Sequence, residues 1–300
     1  MERLGCAQAP TYNGVPFVDE SLMPSFVQRL EQRIRDHSPL CVGIDPSAAL
    51  LKSCGLPDTA EGACEFGQRV LDAAGYQISI VKPQSAFFER FGSAGLRALE
   101  TLVQSARAKE VLVLLDGKRG DIDTSAAAYA EGYFAATTPL RVDAITTHAY
   151  LGIGALEPFF ALAIEHGGGV FVVVRSSNPE GRALQTARQE NGETIANALC
   201  REITARNLRH RSAGVGPVGA VVGATCDDAA EIVAALPNSF ILAPGVGAQG
   251  ATIQDVVTRM PAGLGRVLPS VSRAILANGA AREQIRTAIR SLQDQARSAL

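Results

Sequence analysis

Short apolar runs recur along most of the chain. They are "LCVGID" (40–45), "ISIVK" (78–82), "VLVLLDGK" (111–118), "DAITTHA" (143–149), "GVFVVVRSS" (169–177), "GAVVGAT" (219–225), "FILAPGVG" (240–247) and "GRVLPSVSR" (265–273). Most are separated by about 20 to 30 residues rich in Ala, Leu, Glu and Arg, room for a crossover helix and its loops. Eight buried strands alternating with helices in about 250 residues predict an α/β protein of the (β/α)8 TIM-barrel type, in one domain. A doubly wound open sheet would satisfy the same alternation.

The ends of the chain have a different pattern. Residues 1–23 lack periodicity and carry Pro10, Asn13, Gly14 and Pro16, so they read as an irregular arm. From Pro24, "PSFVQRLEQRIRD" sets Phe26, Leu30 and Ile34 at helical spacing between charges, a short amphipathic helix. The barrel is expected over 24–282, and within "AREQIRTAIRSLQDQARSAL" (281–300) a C-terminal amphipathic helix over 283–300 is expected to pack on its exterior.

Composition narrows the class. With 47% hydrophobic and 19% charged residues, the 300-residue chain is globular. A net charge of −2 gives no global field for nucleic acid or an anionic membrane, so an anionic ligand must be met by local charge. The start of the chain has no apolar signal region, and no run approaches the roughly 18 apolar residues of a membrane span, so a cytoplasmic location is expected. Cys6, Cys41, Cys54, Cys64, Cys200 and Cys226 show neither C-x-x-C spacing nor a nearby histidine, the pattern of reduced thiols and not of a metal site.

Strands buried on both faces should be almost wholly apolar, so charge at their C-terminal ends asks for a reason. Asp45 closes the first run, Lys82 the second, Asp116 and Lys118 the third, and Arg273 the last. In a barrel these ends converge on the catalytic face. Alternation puts Asp116 and Lys118 on one side of their strand and Gly117 on the other. Asp121 falls past the strand, where a turn would return it to Lys118 or present it to a neighbouring subunit. Lys82, one strand over, would complete an alternating Lys/Asp/Lys/Asp chain. Each pair at ~4 Å and an effective dielectric of ~20 carries about 4 kcal/mol of raw Coulomb attraction, enough to hold its members ionised. A lysine so charged is a proton donor, which disfavours Schiff-base chemistry.

Three other motifs carry less. "GVGAQG" (245–250) has dinucleotide-loop glycines but follows the seventh strand and lacks an acid about 20 positions on. "RGD" (119–121) sits at a buried strand end, and His148 has no paired metal ligand, which favours a structural role. The glycines of "APGVGAQG" and the start of "PSVSRAIL" are better read with Arg273 as a phosphate clamp after strands seven and eight.

The blocks "VGIDP", "VKPQSAFFERFG", "DGKRGDI", "RSSNP", "APGVGAQG" and "PSVSRAI", in this order from about Pro24 to Leu276, resemble the orotidine 5′-phosphate decarboxylases, in particular their longer bacterial subgroup. The resemblance implies decarboxylation of orotidine 5′-monophosphate to UMP without metal or organic cofactor, in a homodimer with shared sites. By the same resemblance Lys118 is the proton donor, Asp116 and Asp121 the flanking acids and Lys82 the fourth member of the tetrad. Asp121, with Ile122 and Ser125, would serve the neighbouring subunit. Asp45 would accept from the ribose, Ser177 (or Ser176) would contact the pyrimidine, and Pro244, Gln249 and Arg273 would hold the phosphate. Asp123 departs from the pattern, which has a small residue there. Two other readings stay open: a magnesium-dependent sugar-phosphate decarboxylase of the 3-keto-L-gulonate 6-phosphate type, and a catalytically silent nucleotide-binding barrel.

Overall fold

Every one of the eight apolar runs gives rise to a strand, which extends at most one residue beyond it: β1 (Cys41–Ile44), β2 (Ile80–Pro83), β3 (Leu112–Arg119), β4 (Ala144–His148), β5 (Gly169–Arg175), β6 (Val218–Val222), β7 (Ile241–Ala243) and β8 (Val267–Val271). Successive strands pair in parallel, and β8 pairs with β1, closing the ring. The alternation thus resolves to a closed barrel and not an open sheet. This computed structural model describes Thr11–Tyr12, Val15–Pro16 and residues 24–210, 214–247 and 250–300. Among the described residues no helix is long and apolar enough to cross a membrane.

Helix α1 (Phe26–Asp36) closes the end of the barrel at which the strands begin. It starts at a capping box between Ser25 and Gln28, and it buries Phe26, Val27 and Leu30. These join Leu114, Phe171, Leu242 and Leu268 in the barrel interior, with the Phe26 ring edge-on to Phe171 at 6.0 Å. A Cβ on Gly169 would lie 2.5 Å from the Phe26 ring, so the plug seats because β5 starts with a glycine. Burying a phenylalanine in this way contributes about 2–3 kcal/mol. With one end filled by hydrocarbon, the interior can admit charge at the other, where β3 changes from four buried residues to the partly exposed Asp116 and beyond.

Around the strands lie α2 (Ala60–Ala74), α3 (Gly92–Ala108), α4 (Asp123–Phe134), α5 (Glu157–Glu165), α6 (Ile195–His210), α7 (Ala229–Ala234) and α8 (Ile253–Arg259). Their apolar faces and the outward strand residues form the larger core. The last helix, α9 (Arg282–Ala299), buries Ile285, Ile289 and Ala296. Its Arg286 and Gln293 donate to the Ala73 and Gln77 carbonyls, fastening the helix to the end of α2 and the turn after it.

Two expectations change. Thr11–Tyr12 pairs antiparallel with Val15–Pro16, so those four residues are not irregular. The rest of the arm lies outside the described residues. β7 stops at Ala243, because Pro244 has no N–H to give and Gly245 turns to φ 109°.

Candidate active site

The charged strand ends meet at the mouth of the barrel. Asp116 is the hub. Its Oδ1 accepts from Lys118 Nζ at 2.6 Å and from Thr146 Oγ1 at 2.8 Å, and its Oδ2 accepts from Lys82 Nζ at 3.1 Å. With the Gln84 amide turned so that its nitrogen faces the acid, it also donates to Oδ2 at 2.8 Å. Lys82 Nζ lies 3.8 Å from Asp45 Oδ1, so the alternating chain within one protomer runs Asp45, Lys82, Asp116, Lys118.

Burial sets how strongly these charges act. Lys82 and Asp116 expose 8% and 12% of their side chains, while Lys118 exposes 48%. For Asp116, burial alone would push the carboxyl upward. The combined attraction of Lys82 and Lys118, with hydrogen bonds from Lys118 and Thr146, outweighs it and holds the acid well below the usual carboxylate range. Lys82 is the mirror case. Desolvation favours its neutral form, but Asp116 and then Asp45 outweigh this and raise it above the ordinary lysine range. Beneath them burial pushes the Cys41 thiol up to about 12, so it is an inert neighbour.

β3 presents these residues through a distortion. Leu115 pairs with Ile145 and Arg119 with Thr147, so three residues of β3 stand opposite Thr146 alone. Lys118 takes φ 44°, rare for a residue with a side chain. Arg119 faces away from Asp116, into an ion pair with Glu89 and a 3.0 Å hydrogen bond to the Tyr133 hydroxyl, and its guanidinium also donates to the Gly117 carbonyl at 3.0 Å. The "RGD" glycine is steric: a Cβ on Gly120 would lie 2.7 Å from the His148 carbonyl oxygen. His148 is thus packing for this turn, and its Nδ1 is buried without a hydrogen-bond partner.

Asp121 does not return to Lys118. Its carboxylate accepts from the Ile122 N–H at 2.8 Å, and no ion pair reaches it among the described residues. Ile122 is 52% exposed and Ser125 is exposed on the first turn of α4. Asp123, unexplained by the sequence pattern, opens α4 with φ 48°, a left-handed conformation that Asp tolerates better than most residues, and its charge suits a helix start.

On the far side of the mouth, the two candidate serines differ. The Ser176 hydroxyl is engaged by Asn178 at 2.6 Å and by Gln185 at 2.8 Å. Buried Arg175 donates to the Ser176 carbonyl and forks onto Asp228, with both Nε contacts at 3.0 Å. Ser177 packs over Gly223, where a Cβ would come within 2.9 Å of it, and among the described residues no side chain closes over its hydroxyl as Asn178 and Gln185 do over that of Ser176. At the proposed clamp, Arg273 is exposed at the start of a four-residue 3-10 turn (Arg273–Leu276), not an α-helix. This turn meets the β7 loop, since a Cβ on Gly247 would lie 3.0 Å from Ala274 Cβ. Pro244 leads into that loop, and Gln249 lies outside the described residues.

Thr146 and Gln84 were not found from sequence. A threonine in a strand and a glutamine after one are ordinary there, so only their approach to Asp116 shows a role. Among the described residues no group of three or more His, Cys, Asp or Glu side chains is arranged to hold a metal.

A closed barrel with a buried Lys/Asp network and a half-exposed lysine at its mouth defines a β/α-barrel enzyme site. The sequence profile of the orotidine 5′-phosphate decarboxylase / HUMPS family matches residues 38–288, and the chain belongs to that family. The orotidine 5′-phosphate decarboxylase of Salinispora tropica is 48% identical over 86% of this chain and 91% of its own length. That of Myxococcus xanthus is 42% identical over 88% of this chain and 92% of its own. Among solved structures, Leishmania donovani OMP decarboxylase superposes with a TM-score of 0.74 at 30% identity, covering 92% of this chain and all (100%) of that one.

Proposed function

We propose that this chain converts orotidine 5′-monophosphate to UMP and carbon dioxide, in pyrimidine biosynthesis, without metal or organic cofactor. The observation that carries the reading is the Lys118 ammonium, half exposed at the mouth and 2.6 Å from an acid that is itself buried. When the bond from C6 to the carboxylate breaks, its electron pair stays on C6, in the plane of the ring, where no π-system delocalises it. A fixed cation beside C6 is what such a step requires. Lys118 supplies the field and then the proton, and its amine regains a proton from solvent.

The other side chains take roles of binding and placement. Asp116 holds Lys118 and Lys82 in place; Asp45 accepts from the ribose. Ser177, whose hydroxyl is not engaged among the described residues as that of Ser176 is, contacts the pyrimidine. Pro244, Gln249 and Arg273 hold the phosphate, whose binding energy closes the loops and excludes water from the ring. The test is the loss of substrate absorbance in chelator-treated buffer. Full turnover is expected. Activity abolished by chelator and restored by magnesium would favour the sugar-phosphate type, and UMP binding without turnover a silent barrel.

Asp121, Ile122 and Ser125 serve the site of a second copy in a homodimer. Support comes from Asp121 standing apart from Lys118 in its own chain and from the exposed Ile122 beside it. Lys118→Ala and Asp121→Ala subunits, each inactive alone, are expected to regain about one quarter of wild-type activity when mixed, because half the dimers are mixed and each has one intact site. Additive residual rates without recovery would show that each chain completes its own site.

A further inference from the structure

Lys118 has no regular place in the β3 ladder. The three residues Asp116, Gly117 and Lys118 face the single residue Thr146 across the β3–β4 seam. The backbone N–H of Lys118 therefore lacks a strand partner, and at φ 44° the residue sits in a region that strains any side chain. Something local must hold it there. The Thr146 hydroxyl accepts from the Lys118 N–H at 3.0 Å. Thr146 is fully buried, so water does not offer a ready substitute. Because that oxygen is accepting from the backbone, its own proton is directed to the other neighbour, Asp116 Oδ1 at 2.8 Å. The same Oδ1 receives the Lys118 ammonium at 2.6 Å.

We propose that Thr146 is a positioning residue for the catalytic lysine: one hydroxyl fastens the root of the Lys118 side chain and, through Asp116, its ammonium. This rests on the reading of Lys118 as proton donor. A lysine side chain has four flexible carbons, and fixing one end alone would leave the charge free to wander. Thr146 acts on both ends, accepting from the Lys118 N–H and donating to the Asp116 oxygen that receives the ammonium. Releasing it lets the strained backbone relax and moves the ammonium away from C6, while the ribose and phosphate contacts on other strands are untouched.

The discriminating variants are Thr146→Val, which keeps the shape and removes the hydroxyl, and Thr146→Ser, which keeps the hydroxyl. For Thr146→Val a fall in kcat of up to about 100-fold is expected, the scale of a misplacement near 1 Å, with KM and UMP affinity within about threefold of wild type. Thr146→Ser is expected to recover most of kcat. If the valine variant folds poorly, Thr146→Ala carries the same comparison, and its kcat should fall below that of Thr146→Ser. Equal kcat in the hydroxyl-bearing and hydroxyl-free variants, or a loss that appears in KM and in UMP binding to the same degree, overturns the proposal. A wild-type chain that does not turn over orotidine 5′-monophosphate would instead overturn the functional reading beneath it.

Discussion

Lys118→Ala is expected to abolish turnover while leaving ligand binding and folding intact. The side chain is half exposed and carries little of the core. Asp116 would keep Lys82 and Thr146, with Gln84 turned toward it, so no buried charge is stranded by the change. The loss falls on the reaction alone. A positioned acid contributes about 10²–10⁴-fold and a preorganised charge at the developing anion about 10²–10³-fold, so kcat should drop by at least about 10⁴-fold. Single-turnover absorbance and UMP calorimetry on the same preparation separate the two effects. Turnover within tenfold of wild type would remove Lys118 from the chemistry; loss of UMP binding in a folded variant would make it a binding residue.

Asp116→Asn should damage both stability and activity. Asn keeps the shape but removes the one negative charge between two ammonium groups. Lys82 is then left buried with Asp45, at 3.8 Å, as its one acidic partner among the described residues. Breaking a buried pair on one side costs about 3–5 kcal/mol, and urea unfolding at pH 7 should show a loss of that size. Turnover should fall by on the order of 10³-fold, since the same charge holds the Lys118 ammonium.

The pH dependence follows from the directions of the two shifts. The Asp116 carboxyl is held below its unfolded value, so its stabilisation is fully present above about pH 4 and is lost as pH falls further, toward the folded value. Lys82 is raised, so its share is present below about pH 10.4 and is lost only as pH rises beyond that. The stability gap between wild type and Asp116→Asn should therefore be flat from about pH 5 to 9 and narrow only in stronger acid or base. A gap already closed at pH 5.5 would mean that the native acid titrates near its ordinary value and the network is not the one described.

Much of this architecture was legible in the chain because its rules are local. Eight apolar runs with helical spacers have few packings, and a charge ending such a run has to face the mouth or remain buried at great cost. Asp45, Lys82, Asp116, Lys118 and Arg273 stand out in the sequence in that way. The count of eight favoured a closed ring, and the pairing of β8 with β1 decides for it over the open sheet that uses the same alternation.

Nor did alternation alone describe β3 correctly. It put Asp116 and Lys118 on one side, as their 2.6 Å contact bears out, but it assumed an unbroken ladder. The bulge opposite Thr146 is a matter of pairing between strands, and pairing is set by two segments together. Asn178 and Gln185 close over the Ser176 hydroxyl, an engagement between side chains that spacing does not encode.

By itself, then, the sequence determined the element order, the burial of each strand and the type of charge at each strand end, since hydrophobic periodicity and turn chemistry act over a few residues. Tertiary structure alone decided which of those charges touch, that Asp45 and not Asp121 completes the chain within one protomer, and that a threonine on β4 holds the backbone of a lysine on β3. These outcomes depend on the approach of residues 28 positions apart in the chain (Lys118 to Thr146) and 37 apart (Asp45 to Lys82), brought together only when neighbouring strands of the barrel pair.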